Sequence, residues 1–333
     1  MGLVRLSAGF VRRRSVIAGL SACAVAAMPA RAQNWPSQPI RLVVPFAPGG
    51  TTDLVARLVG QGLSERLGQS VVVENRPGAG AMVGSEVVAR AAPDGHTLVM
   101  SNIASHAISP SLYPANAVRY HPVRDFTHVA LVTSNPSVWV ANPASGITDV
   151  ATLRARARAA AQGLDVASSG AGSSNHLLIV QVAQAAGLTL HHVPFRGAGP
   201  AMTAVIAGQV PLMSDSLPSA AAHIRSGNVR AIAMSSAERH PSFPDVPTFR
   251  EQGLDVVSDS WFGLSGPAGM PAAIVARLNA EVRAVLATAD ASARYAEFGG
   301  TPGALDAEGF TRFVAEEFAR WAPVVRASGA EAG

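Results

Sequence analysis

Three turns rich in Gly, Ser and Thr have the residue types best suited to binding a small anion. They lie at residues 48–50, 168–174 and 196–199, and each follows an apolar run that predicts a strand and opens a segment with helical periodicity. The first backbone N–H groups of a helix have no acceptor within the helix and lie at the positive end of its dipole. These turns therefore predict an anion site built from peptide N–H groups.

Motifs that would indicate an enzyme or a metal site are weak. Ser173 lies three residues before His176, but one helical turn supplies no acid to orient a Ser–His pair. The glycine spacing of residues 78–84 departs from the dinucleotide-binding fingerprint. G-x-S-x-G and H-E-x-x-H motifs are missing, and residues 191 and 192 are adjacent histidines that point to opposite faces of a strand. We therefore expect no catalytic residue, no cofactor and no metal.

The predicted elements bring the three turns to one edge of a sheet. An apolar run at residues 40–46 is followed by a helix from residue 51 to Gly68, and strands and helices then alternate as far as Ser235. Repeated β–α units of this kind predict parallel strands with helices on both faces of the sheet. Open α/β sheets bind ligands in the crevice beyond the carboxyl ends of their strands, so the turns should face one crevice.

The composition is that of a folded protein and excludes several functional classes. Hydrophobic residues make up 48% of the 333 residues and charged residues 14%, which is too apolar for a disordered chain. Every basic residue is Arg, so no Lys is present for a Schiff base or a P-loop. The first 32 residues hold five of the 26 basic residues and no acid, which leaves 21 basic and 22 acidic residues. We therefore expect no binding to nucleic acid.

The first 32 residues have the three parts of an export signal. The arginines at residues 12–14 form a charged start, and residues 16–28 form an apolar stretch. Ala30-Arg31-Ala32 has the small-x-small form that signal peptidase cleaves. We therefore predict a signal peptide at residues 1–32 and a mature protein in the periplasm.

The export route and the processing site of this leader stay open. Arg13 and Arg14 fit a loose twin-arginine pattern, so the twin-arginine and general secretory routes are both compatible with the sequence. Residues 20–23 read as a lipobox, which would make Cys23 a lipidated N terminus. We favour a free periplasmic protein because the apolar stretch continues past Cys23 to the Ala-x-Ala site. No later run of about 18 apolar residues predicts a membrane span.

The order and spacing of short motifs from about residue 35 to residue 326 resemble the Bug family of periplasmic receptors, the substrate-binding components of tripartite tricarboxylate transporters. The motifs that carry the resemblance include VPFAPGG at 44–50, VVVENRPGAG at 71–80, HVPFRG at 192–197, PDVPT at 244–248 and WFGL at 261–264. The resemblance implies an α/β fold of two lobes, the periplasmic-binding-protein or Venus flytrap fold, with parallel-rich sheets flanked by helices and two crossing strands.

The resemblance also implies a domain division and a set of partners. We place the first lobe at residues 33–137 and 258–333 and the second lobe at residues 138–257. The implied ligand is a small organic acid or amide, and the implied partners are the membrane subunits of a tripartite tricarboxylate transporter, which orphan receptors lack. A periplasmic ligand sensor without transport is the alternative function. We expect a monomer and no enzymatic activity.

The ligand contacts of the family, transferred position by position, give the candidate site. The first turn and the strand end after Thr97 supply the residues of the first lobe, and three later turns supply those of the second lobe. The predicted ligand-binding residues are Phe46, Pro48, Gly49, Gly50, Thr51, Asp53, Ser101, Asn102, Ser168, Gly170, Ser173, His176, Phe195, Arg196 and Asp215.

Five polar or aromatic residues have two interpretations each. Asp53 would either anchor a ligand amine or hold the first turn by accepting N–H bonds. His176 would contact the ligand or cap its own helical turn, and Arg196 would pair with a distal carboxylate or point to solvent at the rim. Asp215 would contact the ligand or form hydrogen bonds near the hinge. Trp261 would pack within the crossing strand or stack on the ligand.

The chain departs from the family pattern at three places. Val180 stands where the family usually has Glu, four residues after the His of the second-lobe helix. Phe195 and Arg196 stand where Tyr-Lys is common, and Phe195 lacks the hydroxyl that could donate to a ligand. His96 stands where Tyr commonly follows Asp-Gly. These departures affect the polarity of the pocket rather than the fold, and the ligand is not identified by the sequence.

Overall fold

A computed structural model describes residues 1–3 and 35–331 of the chain. The predicted cleavage site, the twin-arginine pair and the lipobox fall within residues 4–34 and lie outside the described residues. From Trp35 onward the chain folds as one unit. None of the helices described in that unit has both the length and the apolar character needed to cross a membrane.

Strands and helices alternate through most of this unit. The strands are β1 (Ile40–Val44), β2 (Val71–Asn75), β3 (Thr97–Asn102), β4 (Phe126–Ala141), β5 (Leu164–Ser168), β6 (Leu190–Pro194), β7 (Leu212–Ser216), β8 (Arg230–Met234), β9 (Asp259–Pro267) and β10 (Thr301–Pro302). The helices are α1 (Thr51–Leu67), α2 (Met82–Ala89), α3 (Ser109–Leu112), α4 (Val150–Ala159), α5 (Ser174–Ala186), α6 (Ala198–Ile206), α7 (Leu217–Arg225), α8 (Ala272–Leu286), α9 (Ala289–Phe298) and α10 (Ala307–Ser328). A π-helical turn, Ala104–Ile108, precedes α3, and a 3₁₀ turn, Pro143–Ser145, precedes α4.

Helix α1 shows how local sequence sets the ends of an element. Val55, Val59 and Leu63 recur on one face and are buried against the sheet. Gly68 ends the helix with a φ of 67°, a left-handed conformation that Gly adopts without strain, and its N–H donates to the carbonyl of Ser64. The packed face and the fixed end hold the N terminus of α1 at the edge of the sheet.

The sheet combines parallel β–α units with antiparallel crossing strands. Its order is β2-β1-β3-β9-β4-β7-β5-β6, with β8 and β10 pairing with β4. The pairs β1–β2, β1–β3, β5–β6 and β5–β7 are parallel, and each antiparallel pair includes β4 or β9. The expected two-lobe α/β architecture is therefore confirmed, and its crossing strands make the sheet mixed.

Strand β4 changes partners where it passes from one half of the sheet to the other. It pairs with β9 as far as Pro136 and with β7 from Ser137 onward. The chain returns near Ser258, whose N–H donates to the carbonyl of Ser235 at the end of β8. These changes support the lobe boundaries placed after residues 137 and 257, which stay a prediction.

The two lobes pack against each other as well as around their own cores. Leu177 of α5 is buried with Trp261 of β9 and Phe310 of α10, so one apolar cluster contains residues of both lobes. Helix α7 of the second lobe also packs against α9 of the first. The described conformation is therefore closed.

A pair of histidines is buried in the first lobe beside aromatic rings. The ring centroids of His106 and His128 are 5.6 Å apart, and the ring of Phe126 lies 4.5 Å from that of His106. In residues 35–331 neither Nε2 atom has a hydrogen-bond partner, while the Nδ1 of His128 contacts the Ser265 hydroxyl at 2.9 Å. Burial lowers the pKa of His128 to about 4 and holds the pKa of His106 well below its usual value. Both rings are therefore neutral at pH 7.

We predict that His128→Asn makes the protein less sensitive to acid. The pKa of His128 is about 4 in the folded protein and near 6.5 in the unfolded chain, so the unfolded chain binds more protons between those values. Lowering the pH from 7 to 5 should therefore cost the wild type about 2 kcal/mol of unfolding free energy through this residue. Asn keeps an acceptor near the Nδ1 position but does not titrate in this range. Urea unfolding at pH 7 and pH 5 should therefore show that the variant loses about 2 kcal/mol less unfolding free energy than the wild type.

The matched control is His223→Asn at a half-buried position on α7. It should keep the pH dependence of the wild type. Equal losses of stability in His128→Asn and the wild type would contradict the assignment of His128 as a buried neutral ring.

Candidate ligand-binding site

A cavity lies where strand ends and helix starts of both lobes meet. The carboxyl ends of β1, β3, β5 and β7 and the N termini of α1, α5 and α7 surround it. It encloses about 390 Å³ of space between protein atoms, part of it open to solvent. Its lining residues are Phe46, Gly50, Thr51, Thr52, Asn102, Ile103, Ala104, Ser169, Ser173, Ser174, Asn175, Ala198, Asp215, Ser216 and Phe262.

Two helices begin at the cavity wall. Thr51 and Thr52 are the first two residues of α1, and its cap residue, Gly50, offers no side chain to cap the helix. Ser174 and Asn175 are the first two residues of α5. The first N–H groups of a helix have no intrahelical acceptor, and they lie at the positive end of the helix dipole. The geometry therefore favours a negative group between the two helix starts.

Neutral hydroxyls connect the lobes around this space. Thr51 Oγ1 donates to Ser219 Oγ at 3.0 Å and accepts from the Ser219 N–H at 3.2 Å, which joins α1 to α7. The hydroxyls of Ser174 and Ser260 lie 2.7 Å apart, which joins α5 to β9. These bonds hold the closed conformation without an ion pair at the cavity.

Asp53 holds the first turn from behind the cavity wall. Its carboxylate accepts hydrogen bonds from the Gly49 N–H at 3.1 Å, the Arg57 guanidinium at 3.0 Å and the Asn75 amide at 2.9 Å. Burial alone would raise the pKa of Asp53, but the bonds from Arg57, Asn75 and Gly49 outweigh it and hold the pKa below its usual value. This geometry matches the interpretation in which Asp53 braces the turn.

Two stacked histidines brace the second-lobe turn in the same way. The rings of His176 and His192 are 3.8 Å apart and nearly parallel, and neither lines the cavity. His176 Nδ1 accepts from the Gly172 N–H at 3.3 Å, and His192 Nε2 lies 2.6 Å from the Ser168 hydroxyl. Burial lowers the pKa of His176 to about 4 and that of His192 to about 3. Both rings are neutral supports of the turn at pH 7.

Arg196 and Trp261 also lie outside the cavity wall. The Arg196 side chain is exposed at the rim, while its carbonyl accepts from the Ala47 N–H of the other lobe at 2.9 Å. The Trp261 indole N–H donates to Glu317 of α10 at 3.0 Å, and the side chain is buried. Both positions match the rim and packing interpretations.

Asp215 is the ionisable residue of the cavity wall. It is the second-last residue of β7, directly before the start of α7, and is 1% exposed. Its Oδ1 accepts from the Ser216 N–H at 2.8 Å, whereas its Oδ2 accepts no hydrogen bond of normal geometry within the described residues, because the nearby Ser219 hydroxyl donates to the Ser216 carbonyl at 3.0 Å. Burial raises the pKa of Asp215 to about 7, although the Ser219 hydroxyl and the Ser216 N–H lower it. Within residues 35–331, no Arg, Lys or His side chain lines the cavity.

Six of the fifteen predicted residues line the cavity, and nine do not. The six are Phe46, Gly50, Thr51, Asn102, Ser173 and Asp215. The nine, which lie in the same turns or behind them, are Pro48, Gly49, Asp53, Ser101, Ser168, Gly170, His176, Phe195 and Arg196. Ser101, for example, is buried within the sheet, where its hydroxyl donates to the Gly263 carbonyl at 2.9 Å. Contact of any of these residues with a ligand stays a prediction.

Nine lining residues were not predicted. They are Thr52, Ile103, Ala104, Ser169, Ser174, Asn175, Ala198, Ser216 and Phe262. Most directly follow a predicted residue, so extending each turn to the first two residues of its helix would have found Thr52, Ser174 and Asn175. No pattern in the sequence predicted the π-helical turn that carries Ala104.

The comparison with protein families gives one match over most of the chain. Residues 55–330 match the model of the tripartite tricarboxylate transporter family receptor. Among similar proteins, BugT of Bordetella pertussis is 35% identical over 322 residues, which cover 96% of this chain and 98% of BugT.

Solved structures of similar sequence also match this chain over most of its length. The MatC protein of Rhodopseudomonas palustris with bound malate is 36% identical, with a TM-score of 0.83 over 87% of this chain and all of that chain. A second protein of R. palustris, solved with adipate, is 33% identical, with a TM-score of 0.85 over 89% of this chain and 99% of that chain. The similarity therefore extends across the whole fold described above.

We predict that Gly199→Ala opens the two lobes. A methyl group on Gly199 of α6 would overlap the carbonyl oxygen of Pro48 in the other lobe. Overpacking of this kind costs about 1–3 kcal/mol, a cost that separation of the lobes removes. Small-angle X-ray scattering should therefore give a larger radius of gyration for the variant than for the wild type.

Gly60→Ala is the matched control because its methyl group would make only ordinary contacts, the nearest being 3.5 Å from Val71. It should scatter as the wild type does. A wild-type scattering profile for Gly199→Ala would show that the contact between Gly199 and Pro48 does not limit closure.

Proposed function

This chain belongs to the tripartite tricarboxylate transporter receptor family, and from that premise we propose that it captures one small organic acid in the periplasm and delivers it to a tripartite tricarboxylate-type transporter. Membership of the Bug-type receptors agrees with the motifs of the sequence. The family consists of receptors, so a binding protein rather than an enzyme is also the function expected of this chain.

The observation that carries the proposal is the pair of helix starts at the cavity. Thr51 and Thr52 of the first lobe and Ser174 and Asn175 of the second are the first two residues of their helices, and all four line one cavity. A carboxylate supplies the acceptors that backbone N–H groups at these positions lack, and it gains from both helix dipoles. Because the donors come from both lobes, the acid is held only when the lobes are closed.

The bound acids of two similar proteins support the ligand class. Malate is bound in the MatC structure and adipate in the second R. palustris structure, and both are dicarboxylates. The cavity of about 390 Å³ is of a size for such small molecules. Backbone donors and neutral hydroxyls would hold the acid without the desolvation of a cationic side chain.

The transport role rests on the family and on the predicted leader. A signal peptide at residues 1–32 would place the receptor in the periplasm, where a ligand must be captured before it reaches the membrane subunits. The membrane subunits are the proposed partners, because the matching family is named for a transporter of that type.

We predict that dicarboxylates stabilise the purified mature protein. A ligand that binds only the folded state at about 100 times its Kd adds about 2.7 kcal/mol, which raises the Tm of a protein of this size by about 5 °C or more. Thermal unfolding with malate, succinate and adipate measures this effect. The diols 1,4-butanediol and 1,6-hexanediol are matched controls without carboxylates and should leave the Tm unchanged. No shift with any acid of a wider panel would sink the proposal.

We predict further that Ser174→Pro weakens binding of the acid that gives the largest shift. Proline removes the N–H at the first position of α5, where helices tolerate it, and Ser173 already has the extended conformation that a following proline needs. Loss of one hydrogen bond to a charged ligand should weaken binding about 10- to 100-fold. Calorimetric titration of the variant measures this loss.

Ser174→Ala is the control because it removes the same hydroxyl and keeps the N–H. Its affinity should stay well above that of Ser174→Pro, while the Tm of both free variants should be similar. Equal affinities in the two variants would mean that the N–H of residue 174 does not hold the ligand.

A further inference from the structure

Asp215 places an unpartnered carboxyl oxygen at a cavity whose other groups are neutral. The residue lines the cavity and is 1% exposed. One oxygen accepts from the Ser216 N–H, and the other accepts no hydrogen bond of normal geometry among the residues that the structure describes, since the neighbouring Ser219 hydroxyl donates to the Ser216 carbonyl. A buried polar atom without a partner is unusual in a folded protein, so this atom requires an explanation.

The elements packed around Asp215 bring no compensating charge to it. These elements are α1, α5, α6, α7, β4 and β5, and α6 carries no charged side chain. The charged or titratable side chains of the others are Asp53, Arg57, Glu65 and Arg66 on α1, His176 on α5, His223 and Arg225 on α7, His128 on β4 and Asp165 on β5. The Asp53 carboxylate accepts hydrogen bonds from Arg57 and Asn75, and His176 accepts one from the Gly172 N–H.

The remaining groups are directed elsewhere. His223 and Arg225 lie in the last turn of α7, away from its start at the cavity. His128 contacts Ser265 in the first lobe, and Asp165 is exposed. An ionised Asp215 would therefore be a buried charge without a cation, and burial raises its pKa to about 7.

We propose that Asp215 binds the captured organic acid as a neutral carboxylic acid and donates its proton in a hydrogen bond to a ligand carboxylate, so that one proton enters the closed site with each anion. This inference rests on the function proposed above. The proton comes from solvent and no covalent bond is made. A carboxylic acid that faces a carboxylate forms a strong charge-assisted hydrogen bond, whereas two facing carboxylates would repel each other.

The direction of the pH dependence separates this role from the opposite one. If Asp215 must be protonated, affinity is constant below pH 7 and falls about tenfold for each pH unit above it. If an ionised Asp215 paired with a ligand ammonium group, affinity would rise with pH through the same range. The neutral role is favoured because both helix starts at the cavity already select an anion.

Isothermal titration calorimetry with malate and adipate tests the proposal on the mature protein. Both acids are fully ionised between pH 7 and pH 9, so the ligand itself contributes no proton linkage in that range. Titrations at pH 6, 7, 8 and 9 give the affinities, and titrations at pH 8 in phosphate and in Tris give the number of protons taken up. The wild type should take up close to one proton per ligand at pH 8.

Asp215→Asn is the variant that removes the proton but keeps the shape and one donor. It should bind the same acid with an affinity that does not change between pH 7 and pH 9, and with no proton uptake. Asp165→Asn, at an exposed residue of β5, is the matched control and should keep the proton uptake of the wild type. If Asp215→Asn does not fold, the pH dependence and the proton uptake of the wild type are sufficient to test the proposal.

The outcomes distinguish this inference from the proposed function. Binding of malate or adipate by the wild type with constant affinity and no proton uptake would overturn the role of Asp215 and leave the receptor function intact. Affinity for malate or adipate that rises with pH would also overturn it, because binding would then favour an ionised Asp215 over the neutral acid. Failure of every acid to bind would overturn the proposed function and this inference together.

Discussion

The peptide N–H groups at the starts of two helices are the feature on which the rest of the site depends. Thr51, Thr52, Ser174 and Asn175 lie at helix positions whose N–H groups have no acceptor within their helices, and all four residues line one cavity. Such donors are fixed in direction by the helix and cannot turn away as a side chain can. A cavity lined by them suits the anion proposed above, although no cationic side chain contributes to its wall in the part of the chain that the structure describes.

The titratable groups near the cavity act mainly as supports behind it. The Asp53 carboxylate accepts hydrogen bonds from Gly49, Arg57 and Asn75, and these bonds hold the first turn. His176 and His192 are stacked and neutral, and they hold the second turn. The ion pair of Asp53 and Arg57 therefore lies behind the cavity wall. Asp215 differs from them because it lines the cavity itself and keeps one oxygen without a partner.

Strand β4 connects the two halves of the sheet that surround the cavity, because it belongs to both of them. In the described conformation, neutral hydroxyls join Thr51 to Ser219 and Ser174 to Ser260 across the two halves. Such contacts are weak enough individually to be broken again, which a receptor that must release its ligand requires.

The sequence by itself indicated the alternating strands and helices as far as Ser235 and the three turns that open helices, because apolar periodicity and Gly-rich breaks are local properties. Strand β4 over Phe126–Ala141 and helices α8 to α10 were not predicted from periodicity. The sequence also indicated the family and six of the fifteen lining residues, among them Thr51, Ser173 and Asp215. Only the tertiary structure decided that Asp53 and His176 lie behind the wall, since that depends on partners distant in sequence, such as Asn75 and His192. It also decided that Phe262 reaches the cavity, because the register of β9 against β3 and β4 is set by packing of whole elements rather than by neighbouring residues.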